Sequence, residues 1–161
     1  MRKLLAYGLA LTILLVLLSP SATPPVSGQQ PSGATAVLTP KQGLVQMRTD
    51  NVPDYEWQTI TDPTLISETD WVQTDQVGLA EISFFDGNLV DILPNTLIQV
   101  AEYRFADENS PVVTINQSVG DVRHKIDRAL DAQSKYEVNT PSAVLTVRGT
   151  DFFSSVSWQG D

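Results

Sequence analysis

Hydrophobic and polar residues alternate in short runs along most of the chain. Ala80, Ile82 and Phe84 share one parity and Glu81 and Ser83 the other, the period of two that marks a strand with one buried face. Asp86-Gly87 follows at once, a dipeptide suited to a type I′ hairpin turn, and Leu89-Val90-Asp91-Ile92-Leu93 returns. The same reading predicts strands at 36–38, 44–47, 56–60, 96–103, 112–115, 118–122, 136–138, 144–147 and 152–157. Turns are expected at Pro40 and Gly43, at Asp62-Pro63, at Pro94-Asn95 and at Asn116-Gln117. Residues 127–134 hold the helix formers Ala129, Leu130 and Ala132, but the stretch is too short to show a period and reads as a loop or a single turn. Turn signals at this spacing predict an all-β fold, a twisted β-solenoid or a sandwich or barrel of short strands. No exact repeat selects among them.

The pattern differs at the N-terminus. Arg2 and Lys3 precede an apolar run over 4–18, interrupted only by Gly8 and Thr12, with small and turn residues after it. This is the order of a secretory signal, with Ala22 or Gly28 before the cut. A helix of that length reaches roughly 22 Å against a hydrocarbon core of about 30 Å, which favours a cleaved signal over a permanent span. Tyr7 suits an interface if the segment stays as an uncleaved anchor. Residues 1–22 are therefore read as a signal helix or anchor and 23–35, rich in Pro, Ser, Gly and Gln, as a disordered linker. Residues 36–161 are read as the folded domain. The expected location is extracytoplasmic: periplasmic, cell-surface or secreted. Membrane contact is expected only through the N-terminal segment, if it is retained.

Charge narrows the choice of partners. The 161 residues carry 10 Lys and Arg against 19 Asp and Glu, a net charge of −9. Loss of Arg2 and Lys3 with the leader leaves 8 cations and a charge of −11. Neither nucleic acid nor anionic lipid is an expected partner of such a chain. The absence of cysteine excludes disulfides, thiolate metal sites and cysteine nucleophiles. A single histidine, His124, leaves little for a metal site or catalytic pair, and no cofactor is expected.

Four groups of residues invite a chemical reading, and each has a plainer one. Asp70, Asp75, Glu81, Asp86 and Asp91 supply carboxylates for a glycosidase-type pair, but that chemistry needs two of them facing one cleft, and turns or a solvated sheet face account for them better. Asp50, Asn51 and Asp54, and Asp107, Glu108 and Asn109, are oxygen-rich loops without a calcium-loop pattern. Arg123, His124, Lys125 and Arg128 form a basic cluster, read as a solvent-facing segment in preference to an anion contact. Trp57, Trp71 and Trp158 could stack on a sugar but are expected to fill the core.

The chain resembles the FecR family of bacterial extracytoplasmic domains over about residues 44–156. The resemblance rests on Asp70-Trp71-Val72-Gln73-Thr74, on the run from Ala80 through Asp86-Gly87, and on Leu93-Pro94-Asn95-Thr96. It sharpens at Gly120-Asp121-Val122-Arg123, at Tyr136-Glu137-Val138-Asn139-Thr140-Pro141-Ser142-Ala143-Val144, and at Val147-Arg148-Gly149-Thr150-Asp151-Phe152. It implies a twisted, solenoid-like β domain. In regulators of this family such a domain lies in the periplasm, joined through one span to a cytoplasmic anti-sigma bundle, and receives a signal from an outer-membrane transporter. Three departures stand out. An apolar run beginning at Leu4 leaves no room for a cytoplasmic module. Thr69 stands where the family often has Gly. The chain stops at Trp158-Gln159-Gly160-Asp161 without a returning strand, which reads as a fragment or as a short form with an open edge.

The signature residues have structural readings of their own. Asp86 and Gly87 close a hairpin, Gly120 and Gly149 allow bends, and Pro141 holds Thr140 extended at the start of a strand. Val147 ends that strand, Arg148 reaches carbonyls or a carboxylate across the Gly149-Thr150 corner, and Phe152 anchors the next strand. The expected function is non-enzymatic: protein interaction or signal sensing outside the cytoplasm, with an envelope or cell-surface protein as partner. A cell-surface glycan-binding module is the alternative, and an acidic hydrolase the least favoured one.

Overall fold

Period-two patterning survives into three dimensions as alternating burial. In the computed structural model, which describes residues 36–50, 56–107, 110–127 and 132–157, there are twelve strands and no helix among the described residues. They are β1 (Ala36–Gln42), β2 (Val45–Thr49), β3 (Gln58–Thr59), β4 (Thr64–Ile66), β5 (Asp70–Thr74) and β6 (Leu79–Ser83). After them come β7 (Leu89–Ile92), β8 (Leu97–Phe105), β9 (Pro111–Lys125), β10 (Lys135–Asn139), β11 (Val144–Val147) and β12 (Phe152–Val156). Inward and outward residues alternate strictly in β5, β6, β7 and β10, so each gives one face to a core and one to solvent. The all-β expectation holds. The leader and linker expected over 1–35 lie outside the described residues.

All twelve strands belong to one curled sheet, a half-barrel, in the order β3-β2-β5-β8-β9-β7-β6-β1-β4, with β10, β11 and β12 off that path. The long strand β9 organises it. Up to Val119 it pairs with β8 on one side and β10 on the other; from Gly120 onward it pairs with β7 and β12. Two wings therefore share β9: β3-β2-β5-β8-β9-β10-β11 and β4-β1-β6-β7-β9-β12. Only β10 runs parallel to its neighbour β9. Gly120, at the switch, has a φ of 94°. A Cβ there would fall 2.5 Å from the Thr96 Cα and 2.6 Å from the Asn95 carbonyl oxygen, so no side chain fits.

The curl encloses one hydrophobic cluster supplied by both wings, including Leu38, Ile82 and Ile92 from one and Val72, Ile98 and Ile115 from the other, all fully buried. Each such side chain contributes about 1.5–3 kcal/mol through removal from water.

Local details correct several expectations. Asn116-Gln117 is not a turn: β9 runs through it, because Gln117 finds hydrogen-bond partners in the interior and Asn116 finds them on the outer face. The Asp86-Gly87 hairpin is not a two-residue type I′ loop. Phe84 N–H donates to Asn88 O at 3.0 Å and Gly87 N–H to Phe84 O at 3.1 Å, leaving Phe85, Asp86 and Gly87 as a three-residue loop. Only Gly87 in that loop takes a positive φ, 93°, as the turn-plus-bulge geometry requires. Asp86 instead braces the loop, accepting from the Asn88 amide N–H at 3.0 Å and from Asn88 Nδ2 at 2.7 Å. Pro40 lies within β1, at the register shift between Pro40 and Gln42, where a missing N–H is tolerated. The strand expected over 56–60 is reduced to β3, and β4 is an addition.

Candidate functional site

Of the signature residues, Asp86 and Gly87 lie in the β6–β7 hairpin and the others are spread along the β9–β12 region, so they do not converge. Thr140 and Ala143 close the β10–β11 hairpin: Thr140 N–H donates to Ala143 O at 2.8 Å, and Ala143 N–H donates to Thr140 Oγ1 at 3.0 Å. Pro141 sits inside this turn and sets its first corner residue, a different role from the strand start expected of it. Val147 ends β11 and is half-buried against the core. Arg148 is exposed and makes no hydrogen bond or ion pair among the described residues, so the corner is not braced by it. Gly149 takes a φ of 89°. Thr150 is exposed; the Asp151 carboxylate beside it accepts from Ile126 N–H at 3.2 Å. Phe152 then stacks on His124, centroids 4.4 Å apart and planes 8° from parallel.

His124 is not solvent-facing. Val122, His124 and Ile126 point inward while Arg123 points out and Lys125 pairs with Asp91 at 2.8 Å, so the basic cluster divides by strand parity. Arg128 lies outside the described residues. Within the core His124 Nδ1 lies 2.7 Å from the Tyr136 hydroxyl and Nε2 lies 3.1 Å from Ser154 Oγ. Ser154 Oγ donates to Gln117 Oε1 at 2.5 Å, and Gln117 Nε2 donates to Gly120 O at 2.7 Å. Since the only Ser154 proton goes to Gln117, His124 Nε2 must donate to Ser154, and Nδ1 must accept from Tyr136. Burial lowers the His124 pKa to about 3 and pushes the Tyr136 phenol well above its ordinary value, which fits a neutral imidazole and a protonated phenol. This is a serine beside a histidine, but the imidazole donates to the hydroxyl and cannot take its proton, and both groups are buried. The cluster pins β9, β10 and β12 together.

The five carboxylates do not form a catalytic pair. Asp70 accepts from Ser67 N–H at 2.8 Å, and Asp75 accepts from the amides of Leu44 and Val77 at 3.2 Å each. Asp86 braces its hairpin. Glu81 and Asp91 are direct cross-strand neighbours, but each holds a lysine, Lys41 at 3.2 Å and Lys125 at 2.8 Å, on an outer sheet face. Asn51, Asp54, Glu108 and Asn109, half of the calcium candidates and more, lie outside the described residues. Asp50 is engaged with Arg48 and Trp71.

The outer face of the β2–β5–β8–β9–β10 wing is different. Register aligns Arg48, Trp71, Gln99, Asn116 and Asn139 in one row across five strands. The Arg48 guanidinium lies 5.1 Å from the Trp57 ring centre and 5.5 Å from that of Trp71, between two indoles. Asp50 accepts from Trp71 Nε1 at 2.8 Å and pairs with Arg48 at 3.2 Å. The amides then link sideways: Asn116 Nδ2 donates to Gln99 Oε1 at 3.0 Å, and Asn139 Nδ2 to Asn116 Oδ1 at 3.1 Å. One step along the strands, Gln73 Nε2 donates to Gln46 Oε1 at 2.8 Å. Beside Gln73 opens a shallow depression of about 370 Å³ walled by Thr74, Asn95, Thr96, Leu97 and Val119. Trp57 and Trp71 are half-buried on this face, not in the core as expected, and Trp158 lies outside the described residues. The amides carried no warning in the sequence; the odd positions of Trp71 and Gln73 in an alternating strand were the available signal.

No curated protein and no solved structure matches the chain. Its hairpin at Asp86-Gly87, its switch at Gly120 and its Thr-Pro turn and Phe152 anchor all fall inside the span of one family model, described as FecR protein, which matches residues 70–161, more than half of the sequence; the chain belongs to the FecR family, whose domains take part in signalling from the envelope and are generally non-catalytic.

Proposed function

We propose that this chain is a non-enzymatic recognition or signal-sensing module working outside the cytoplasm, and that it holds an envelope or cell-surface protein by adding that partner's strand to β11. The observation that carries this is the open edge of β11, whose strand pairing is with β10. The hydrogen-bonded Thr140–Ala143 pair at the hairpin sets the alternation that follows, and by it Val144 and Thr146 direct their main-chain groups away from β10. Among the described residues those groups have no partner, which leaves them to bond an incoming strand, and Val144, 66% exposed, offers an apolar contact beside them. The signal-like segment at residues 2–18 supports export, and the family supports a role in envelope signalling.

Proline at position 146 tests the edge. It removes an outward N–H that the fold does not use, so Thr146→Pro should melt close to the parent. A partner captured from envelope extract by the parent and lost from Thr146→Pro supports strand addition. Failure to recover a specific partner, or its equal recovery by the variant, counts against it. Glycan binding stands as a second reading because Trp57 and Trp71 lie on an outer face beside Arg48.

A further inference from the structure

The geometry points to a binding site for an uncharged polysaccharide on the outer face of the β2–β5–β8–β9–β10 wing, running from Trp71 along the amide row and taking in the shallow depression beside Gln73. It rests on the second reading above, deepens it by naming the ligand class and the track, and is independent of strand addition at β11.

Three features define the ligand. The first is shape and surface. Trp71 is an indole held by two restraints, the Asp50 carboxylate on its Nε1 and the Arg48 guanidinium on its ring, so its plane is fixed before any ligand arrives. Arg48 shares one face of this half-exposed ring, and the part of the fixed indole left exposed is what would meet the flat C–H face of a sugar ring. From it the row continues through Gln99, Asn116 and Asn139 at the strand spacing of about 4.8 Å, an extended track and not a single pocket.

The second is hydrogen-bonding capacity. A primary amide has two N–H donors and two acceptor lone pairs. Asn116 uses one donor on Gln99 and one lone pair on Asn139; Gln73 uses one donor on Gln46. The bonds between neighbours hold each amide in one orientation. Gln99 directs its Nε2 at Thr69 O, 3.2 Å away, and at Asp50, 3.5 Å away, so it offers a ligand only its carbonyl oxygen; among the described residues Asn116, Asn139 and Gln73 each spend one N–H and keep the second. Mixed donors and acceptors in fixed directions match vicinal hydroxyls, which are both.

The third is charge. The ion pairs on this face close on themselves: Arg48 with Asp50, Arg104 with Glu102 at 2.7 Å, and Lys135 with Glu137 at 3.1 Å. Among the described residues these three pairs balance in charge, and a chain of charge −9 repels an acidic ligand. The exposed side chains Leu65, Phe85 and Phe153, which a protein partner would bury, lie on other elements.

Titration calorimetry of the full chain against cellohexaose, chitohexaose, laminarihexaose, mannohexaose and xylohexaose, with polygalacturonate as the acidic control, tests the site. Saturable binding of at least one neutral hexasaccharide is expected, weakened about tenfold or more in Trp71→Ala and in Gln99→Ala, and unchanged in Thr146→Pro. If Trp71→Ala does not fold, Gln73→Ala on the wall of the depression carries the comparison. Three results overturn the inference: no saturable binding of any neutral probe, binding of polygalacturonate alone, or binding held within twofold in the folded variants. Loss of a protein partner in Thr146→Pro with glycan binding intact would separate the two surfaces.

Discussion

The Tyr136 hydroxyl donates to Nδ1 of His124 across 2.7 Å, and that bond gives a direction to the whole interior chain from Tyr136 through His124 and Ser154 to Gln117. Protonating the imidazole would set an Nδ1–H against a hydroxyl that is itself donating, with both groups fully buried from bulk solvent. Folded His124 therefore resists protonation down to a pH of about 3, against about 6.5 when unfolded. The unfolded chain binds this proton first as pH falls. The stabilisation is complete above pH 6.5, declines below it, and is exhausted near pH 3. At pH 5 the loss comes to about 2 kcal/mol. His124 is the one histidine in the sequence, so a variant isolates it. Denaturation of the parent and of His124→Phe at pH 7 and pH 5 should show their stability gap narrowing by about that amount. A gap independent of pH would mean that the imidazole is not held neutral.

Thr69 is the non-glycine residue whose conformation the fold tolerates worst. Its φ is 74°, and it is β-branched; Asn95, at 56°, belongs to a residue type that accepts the left-handed region. Thr69 N–H donates to Val100 O at 2.7 Å and Thr69 O accepts from Gln99 Nε2 at 3.2 Å, so the backbone is locked where the side chain is least comfortable. Relief of this strain outweighs the extra freedom of glycine in the unfolded chain. Thr69→Gly should stabilise the protein by about 0.5–1 kcal/mol, seen as a higher denaturation midpoint with an unchanged slope. A lower midpoint would show that the threonine side chain contributes more than its backbone costs.

What could be read from the sequence was what alternation carries. Ala80, Ile82 and the Asp86-Gly87 hairpin follow from local pattern, and their strands stand where expected. Residues whose role depends on distant partners were misread. Gln117 looked like a turn because its partners, Ser154 and the Gly120 carbonyl, are supplied by tertiary packing. Trp71 looked like core because its size outweighed its parity, although Val72 between Trp71 and Gln73 is the buried residue. His124 looked solvated because of its neighbours Arg123 and Lys125, although the Val122-His124-Ile126 parity already pointed it inward. The amide row was illegible for a simpler reason: its members come from five strands whose register no local pattern sets.

Gly120 should be the least replaceable residue of the signature. The Thr96 hydroxyl that a Cβ would strike is also a structural bond: Thr96 Oγ1 accepts from Asp121 N–H at 3.0 Å and donates to Asp121 O at 3.1 Å, joining β9 to the β7–β8 turn. A side chain would have to push this contact apart and would also occupy a φ of 94°. Gly120→Ala should cost about 3 kcal/mol or more by denaturation. Thr96→Ser keeps the hydroxyl and should cost far less. A mild effect of Gly120→Ala would mean that β9 can change partners without this close approach.

Phe152 closes the Val-Arg-Gly-Thr-Asp-Phe run, and its contacts give that run a physical purpose. The ring covers one face of His124 and meets Tyr136 edge-on, centroids 6.3 Å apart and planes at 84°. It is the lid between the buried imidazole and water, so its removal should act on both stability and protonation. Phe152→Ala should destabilise by about 2–4 kcal/mol through lost packing. Because desolvation is what depresses the His124 pKa, admitting water should also move that pKa up toward 6.5, readable in a nuclear magnetic resonance titration of the imidazole. Phe152→Leu keeps an apolar cover and should leave the pKa low while losing part of the stacking energy. A pKa unchanged in Phe152→Ala would show that β9 and β10 alone keep the histidine dry, and the phenylalanine would then be an anchor for β12 and nothing more.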